Sequence, residues 1–141
     1  MSEHPRGPDS GRFDLAELAA KFPDSADTML LDQYIRDRPE ASVRLFRPYR
    51  PVPPHHHTQC DECLYVLSGR GAFWMGDPST KAEFGPGQLI VFPRNTVHSL
   101  PELIEQPIVF LAIDTPRRDP SDVVFQDPED ARAAGFIKAV Y

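Results

Sequence analysis

Residues 55–69 read HHHTQCDECLYVLSG, a run of three histidines followed by a polar segment and an apolar one. Side chains two residues apart on a strand point to the same face, so His55 and His57 should direct their imidazoles to one point while His56 faces away. An intervening loop of polar residues then allows the carboxylate of Glu62 to return to the same face. The stretch therefore predicts a chelating site on a β-strand.

The sequence around this stretch consists of short apolar runs that are separated by Pro, Gly, Asn and Asp. Runs of this kind at close spacing predict a mostly β fold, either a sandwich or a barrel. The predicted strands are Met29–Ile35, Ser42–Phe46, Leu64–Leu67, Ala72–Met75, Leu89–Phe92 and Ile108–Ile113. The predicted turns are Ser68–Gly71, Gly76–Ser79, Gly85–Gly87 and Pro93–Thr96. The proline-rich segment Pro48–Pro54 should form an edge, a bulge or a stiff approach to the histidines.

Short helices are predicted on either side of the β region. Apolar residues recur at near-helical spacing over Phe13–Lys21, and Asp127–Ala134 has a capping residue, a proline at its first helical position and Gly135 just past its end. We interpret residues 1–12 as a flexible arm and residues 13–141 as a single domain.

A further histidine, His98, follows the strand Leu89–Phe92 and the turn Pro93–Thr96. Together with His55, His57 and Glu62 it would give three nitrogen ligands and one oxygen ligand. This set suits a divalent metal, and an octahedral shell would keep two positions open for water, a chelating substrate or dioxygen.

The spacing of these residues resembles the first motif of the cupin superfamily. That motif has the form G, five residues, H-x-H, three or four residues, E, six residues, G. The chain supplies His55, His57, Glu62 and Gly69 in register, and Tyr49 stands in place of the leading glycine.

The second cupin motif, G, five residues, P-x-G, two residues, H, three residues, N, is matched with two departures. Gly87, Pro93 and His98 fit, Asn95 replaces the second glycine, and Glu102 replaces the final asparagine. Asparagine also accepts the left-handed turn conformation, so the first departure is mild. The two motifs span residues 49–102.

The resemblance to cupins implies a fold, a cofactor and a range of activities. The implied fold is a double-stranded β-helix, or jelly-roll barrel, with one divalent metal per chain (Fe, Mn, Ni or Zn) on His55, His57, Glu62 and His98. The implied activity is that of a dioxygenase-type oxidoreductase, an isomerase or a decarboxylase, in which Glu62 can also act as a base. Cupins usually form homodimers, and Met29–Ile35 with the preceding helix is the candidate contact.

Two other interpretations of these residues remain open. Cys60 and Cys63 form a C-x-x-C pair that could make a tetrahedral zinc site with His55 and His57. The barrel could also be a small-ligand or metal-binding module without turnover. Structural storage, as in seed globulins, fits poorly because the chain is short and keeps its ligand residues.

Residues on the predicted strands also suggest how a substrate would be bound. Leu64 and Val66 share the face of Glu62 and should form an apolar floor beside it. Among the arginines Arg44, Arg47 and Arg50, which precede the metal motif, at least one is expected to hold a substrate carboxylate. The alternative role of these arginines is a solvated charge on an edge strand.

The composition of the chain argues against nucleic acids and anionic membranes as binding partners. The 141 residues carry 15 Lys plus Arg against 21 Asp plus Glu, a formal net charge of −6, and no basic stripe is found for nucleic acid or an anionic membrane. No apolar run reaches the length of a bilayer span, and the N-terminus lacks a signal-peptide pattern, so we expect a cytoplasmic location. The expected partner is a small organic molecule.

Overall fold

The computed structural model describes residues 10–133 and 138–140. Within these residues, one curled sheet of nine strands is flanked by two short helices. The elements in chain order are α1 (Leu15–Ala19), β1 (Leu30–Arg38), β2 (Ala41–Pro48), β3 (Val52–His56), β4 (Asp61–Met75), β5 (Ala82–Phe84), β6 (Leu89–Phe92), β7 (His98–Thr115), β8 (Val124–Phe125), α2 (Pro128–Ala133) and β9 (Lys138–Val140). A single 3-10 turn, Pro78–Thr80, precedes β5. The predicted mostly β fold with a short helix at each end is confirmed.

Two long antiparallel strands lie at the centre of the sheet. β4 has 15 residues and β7 has 18, and they pair from Asp61↔Thr115 to Met75↔His98 with several register shifts. The strand order is β5-β4-β7-β2-β1-β9, while β3 joins β7 and β8, and β6 joins β4. Register shifts bend a strand and increase its twist, which allows the sheet to curl around an interior.

The predicted turn at Ser68–Gly71 is wrong, because β4 continues through it. Gly69 has φ +83° and lies within the register shift between Ser68 and Arg70, so it bends the strand without ending it. Gly71 lies so close to β7 that an added Cβ would be 2.6 Å from the carbonyl oxygen of Glu102. The glycines therefore mark a bend and a close approach, which the sequence pattern does not distinguish from a turn.

Replacement of Gly69 by alanine tests this role. A Cβ at Gly69 would lie 2.6 Å from Cγ1 of Ile108 and 2.6 Å from the carbonyl oxygen of Pro107, whereas Gly87, with a similar φ of +90°, has nothing within 4 Å. Since both variants bear the same backbone strain, Gly69→Ala should lose about 1–3 kcal/mol more than Gly87→Ala in the free energy of unfolding. Urea denaturation measures the difference, and equal losses would contradict the proposed close approach.

The sheet separates two hydrophobic clusters. The larger one fills the barrel interior and includes Phe46, Leu64, Phe92 and Phe110. The smaller one lies on the outer face, where Phe22, Ile35, Leu45 and Val109 pack with apolar side chains of α1.

The segment proposed for dimer contact contributes to these clusters of its own chain. Met29, Tyr34 and Ile35 are only 4%, 7% and 8% exposed. The strand β9 pairs in parallel with β1 along its edge. These three side chains are therefore not available to a partner.

The ends of the chain are described only in part. Asp14 caps α1 by accepting a hydrogen bond from the backbone N–H of Glu17 at 3.1 Å, and Asp127 caps α2 in the same way from Glu129 at 2.9 Å. Most of the predicted arm, residues 1–9, and the predicted helix stop at Gly135 lie outside the described residues. The two helices in the described part of the chain have five and six residues, which is too short to cross a bilayer.

Candidate metal centre

Three buried histidines meet inside the barrel. His55 lies near the end of β3, His57 follows that strand, and His98 opens β7, where it pairs with His55. They are 6%, 4% and 2% exposed, and each offers a ring nitrogen within 4.8 Å of those of the other two. The structure thus brings together the three imidazoles that the sequence singles out.

Backbone carbonyl groups fix the orientation of all three rings. The Nδ1 atoms of these histidines donate to carbonyl oxygens: His55 to Pro53 at 2.7 Å, His57 to Asp122 at 2.7 Å and His98 to Thr96 at 2.9 Å. A carbonyl can only accept, so each Nδ1 carries the proton and each Nε2 keeps a free lone pair. This is the arrangement that protein metal sites use to orient histidine ligands.

The electrostatic surroundings also suit a metal ion. Burial lowers the pKa of His55 well below its usual value, and the neighbouring His98 and His57 lower it further, which keeps the ring neutral. The Nε2 atom of His98 is buried without a hydrogen-bond partner. A buried polar atom with no partner is costly, and a cation would satisfy it. The residues present therefore fit a divalent metal.

Glu62 lies beside the three histidines. Its Oε1 atom is 3.4 Å from the Nε2 atoms of both His57 and His98, and its Oε2 atom accepts a hydrogen bond from Arg44 at 2.5 Å. Burial raises the pKa of Glu62, but the neighbouring His57 and His98 and the Arg44 guanidinium outweigh it and hold this pKa well below its usual range. Glu62 is therefore an ionised carboxylate next to the imidazoles. That Glu62 binds a metal ion as a fourth ligand stays a prediction.

Arg44 holds carboxylates of the chain itself, which differs from its predicted role in binding a substrate. Its guanidinium donates to both carboxylate oxygens of Asp114 at 3.0 Å, to Asp32 at 2.7 Å and to Glu62. The arginine is only 2% exposed. Because three carboxylates use these donors, Arg44 acts as a positioning residue for Glu62.

A cavity opens from the histidines towards one end of the barrel. It holds about 530 Å³ of space free of protein atoms, its mouth included. Apolar side chains form most of the wall, and the charged groups on it are Asp32, Arg44, Glu62 and Arg118. The lining residues are Leu30, Asp32, Arg44, Phe46, Val52, His55, His57, Glu62, Leu64, Phe92, His98, Leu100, Arg118, Pro120, Val123 and Phe125.

Two residues that the sequence assigns to substrate binding do not line this cavity. Leu64 forms part of the predicted apolar floor, but Val66 is fully buried in the packing behind it. Arg47 lies over the ring of Tyr49, with its Cζ atom 4.7 Å from the ring centre. Strand alternation explains this position, since Arg44 faces inwards and Arg47, three residues later, faces the other side. The exposed Arg50 is also absent from the lining.

The alternative zinc site with two cysteines is not formed. In the described part of the chain, the histidine cluster includes no cysteine. Cys60 is buried with its sulfur 3.9 Å from Asp114, while burial and that carboxylate raise the pKa of its thiol to about 12. Burial also raises the pKa of the half-buried Cys63, so both side chains are protonated thiols at neutral pH.

The departures from the cupin motifs lie outside the cavity lining. Asn95 has φ +64°, the left-handed conformation that the motif glycine would adopt. Glu102 is exposed and pairs with Lys81. Tyr49, which replaces the leading glycine, donates its hydroxyl hydrogen to the carbonyl oxygen of Pro23 at 2.7 Å.

Sequence reasoning missed four charged residues of the site. Asp32 interrupts a predicted apolar strand and Asp114 directly follows one. A charged residue at such a position indicates a buried charge, so these two could have been predicted from the sequence. Arg118 and Asp122 lie in the segment after β7, where no local pattern points to the site. The role of Asp122 depends on contacts with residues about 60 positions earlier in the chain.

Asp122 connects that segment to the metal centre, so its replacement should weaken metal binding. Its carboxylate accepts hydrogen bonds from the backbone N–H groups of Thr58 and Gln59 at 2.9 Å, and its carbonyl oxygen accepts from His57. Asp122→Ala keeps the carbonyl that orients His57 but removes the carboxylate that holds it in place. Since groups that orient a ligand are worth about 10–100-fold in metal affinity, this variant should lose about tenfold. Zinc titration calorimetry measures this loss. The control Asp127→Ala, at the exposed cap of α2, should bind zinc normally, and equal affinities in all three proteins would contradict the role of Asp122.

Comparisons with known proteins agree with this geometry. A family model described as "Cupin domain" matches residues 45–114, which include all three histidines and Glu62. No curated protein sequence matches the chain.

Several solved structures share the fold. An uncharacterised conserved protein with a double-stranded β-helix domain from Klebsiella pneumoniae has a TM-score of 0.64 at 14% identity, covering 77% of this chain and 92% of that one. The protein BH2720 from Bacillus halodurans has a TM-score of 0.66 at 19% identity, covering 91% and 97%. The nucleoside dehydratase Pac13 has a TM-score of 0.52 at 20% identity, covering 65% and 75%, and Streptomyces variants of it are solved with uridine. The predicted double-stranded β-helix is confirmed.

Proposed function

This chain belongs to the cupin family, and we propose that it is a metal-dependent enzyme that acts on a small organic molecule inside its barrel. The observation that carries the proposal is the set of three buried imidazoles whose Nδ1 atoms are all engaged by backbone carbonyls. Their Nε2 lone pairs face a cavity with room for a ligand. Preformed apolar cavities with a few polar groups are the usual form of small-molecule sites. The Pac13 structures illustrate that a barrel of this fold accepts a small organic molecule.

We assign His55, His57 and His98 as ligands to one divalent ion per chain, with Glu62 as the fourth ligand or as a base beside it. Iron, manganese, nickel and zinc all suit imidazole and carboxylate ligands. A bound ion would supply Lewis acidity, and a redox-active one would supply electrons for chemistry with dioxygen. The activity we propose is that of a dioxygenase, with isomerase or decarboxylase activity as the related alternatives.

The chain itself positions the reacting groups, excludes water from them and provides a proton acceptor. The apolar wall excludes water from the reacting groups, which strengthens electrostatic interactions inside the cavity. Glu62 is held ionised, with Oε2 fixed by Arg44 and Oε1 directed towards the histidines. It can therefore take a proton from a hydroxyl group of a substrate at Oε1.

Metal analysis followed by oxygen consumption tests the function. The purified protein should hold about one transition-metal ion per chain and should consume dioxygen with one class in a panel of catechols, diketones and thiols. A metal-replete protein that is inert towards the whole panel would contradict the dioxygenase assignment and would favour the non-catalytic binding module.

Replacement of Glu62 by glutamine separates its role as a base from that of a ligand. General base catalysis contributes about 10²–10⁴-fold, so Glu62→Gln should retain bound metal and lose turnover by at least about 100-fold. Glu102→Gln is the matched control, because Glu102 is exposed and pairs with Lys81. A Glu62→Gln protein that keeps both its metal and full turnover would exclude the proposed base.

The homodimer and the cytoplasmic location stay predictions. Three apolar side chains of the proposed contact segment Met29–Ile35 are buried in their own chain, so a dimer would have to use other surfaces. Sedimentation at micromolar concentration would decide the oligomeric state, and a monomeric mass would contradict the dimer.

A further inference from the structure

Arg118 is a buried arginine with unused hydrogen-bond donors. It follows β7, lines the cavity beside the histidines and is only 4% exposed. Its Nε and Nη1 atoms are buried without a hydrogen-bond partner. The carboxylate of Asp114 is 3.8 Å from Nε, too far for a hydrogen bond, and it already accepts from Arg44. A guanidinium stays charged at any physiological pH, and leaving its buried donors without a partner is costly. An acceptor bound in the cavity would satisfy them.

An ion pair and hydrogen bonds hold the segment that carries Arg118 in place on both sides of this residue. On one side, Arg117 pairs with the buried Asp37 at 2.7 Å. On the other side, the backbone N–H of Asp119 donates to the side chain of Gln59 at 2.9 Å, and Asp122 binds the backbone at Gln59. Arg118 is therefore held in place before any ligand arrives, which reduces the entropic cost of binding.

The buried charges around the cavity specify the charge of that ligand. Three carboxylates, Asp32, Glu62 and Asp114, face two guanidinium groups, Arg44 and Arg118. Their formal sum is −1, and a divalent cation on neutral imidazoles would change it to +1. Buried charge is stable only when it is compensated, so the loaded site is neutralised by a ligand with a single negative charge.

We propose that Arg118 binds the carboxylate of a small organic monoacid, and that the apolar body of this acid lies against Val123 and Phe125. The inference rests on the proposed function, which it deepens by naming the class of substrate. A carboxylate matches the planar fork of a guanidinium and carries one charge, whereas a phosphoryl dianion would leave the site with excess negative charge. Arg118, not Arg44 or Arg47, thus takes the role of carboxylate anchor.

Calorimetric titration with three probes tests the proposal on the zinc-loaded protein. The probes are benzoate, the neutral benzamide and phenylphosphonate, which carries a second charge near neutral pH. Benzoate should bind at least about tenfold more tightly than either of the others, because benzamide makes no charge-assisted hydrogen bond to the buried arginine and the second charge of phenylphosphonate would be uncompensated in the site. Arg118→Met should abolish the preference for benzoate over benzamide.

Matched conservative variants guard against an effect on folding alone. Arg118→Lys keeps the charge and should lower benzoate affinity by about 3–10-fold, whereas Arg117→Lys, in the same segment but paired with Asp37, should leave it within twofold. Thermal melts and metal analysis confirm that each variant is folded and loaded.

The outcomes distinguish this inference from the proposed function. Unchanged benzoate affinity in a folded, zinc-loaded Arg118→Met protein overturns the inference and leaves the metal site intact, as does a preference for phenylphosphonate. A wild-type chain that takes up no zinc overturns the proposed function. It also overturns the inference, because the charge balance that favours a monoanion requires the bound cation, whereas the Arg118→Met result on a zinc-loaded chain overturns the inference alone.

Discussion

His98→Ala is expected to lower the affinity for zinc by at least about 100-fold, since removal of a direct ligand should cost no less than the upper end of the range for groups that orient ligands. The fold should survive the change, because the Nε2 atom of His98 is buried without a partner and its removal deletes an unsatisfied group. Zinc titration calorimetry and metal analysis measure the affinity and the amount bound.

His56→Ala provides the matched control for this experiment. His56 neighbours two of the three clustered histidines but points away from them and is absent from the cavity lining. Its replacement should change zinc affinity by no more than about threefold, roughly the effect of an indirect perturbation. Equal losses in the two variants would mean that zinc binds elsewhere, for example to an exposed histidine run.

Arg44→Met is expected to destabilise the folded chain by about 3–5 kcal/mol, the usual cost of removing one partner from a buried ion cluster. The change leaves Asp32, Glu62 and Asp114 buried in the barrel with their main hydrogen-bond donor gone. The free energy of unfolding in urea measures the loss.

Arg47→Met, on the same strand, separates this effect from a general loss of charge. Arg47 faces the other side of the sheet, where it stacks on Tyr49 and makes one long hydrogen bond of 3.4 Å to the carbonyl oxygen of Asp24. Its replacement should cost no more than about 1 kcal/mol, as for other surface interactions. If Arg44→Met were equally mild, the carboxylates would have to be protonated or solvated, and Arg44 would not position Glu62.

The sequence predicts the cluster of three histidines well because the spacing of these residues is governed by local geometry. His55 and His57 share a face through strand alternation, and the turn at Asn95 brings His98 to the start of its strand with the expected left-handed residue. The mostly β fold follows from the short apolar runs and the turn residues between them.

The features that the sequence does not predict depend on contacts between distant residues. Gly69 and Gly71 look like turn residues, but the pairing of β4 with β7 continues through them. Arg44 looks like an available substrate anchor, and only the fold shows that Asp114, 70 residues later, occupies it. Arg118 has no neighbouring motif, and its importance arises from the cavity that the whole barrel forms.

Crystals grown with manganese and measured at two wavelengths, on either side of the manganese absorption edge, test the central claim most directly. We predict one anomalous peak per chain within about 2.0–2.3 Å of the Nε2 atoms of His55, His57 and His98, which is the zinc–nitrogen distance with a tolerance of about 0.2 Å. A well-ordered barrel with no peak at the three imidazoles, or with its only peak at the cysteines, would contradict the account.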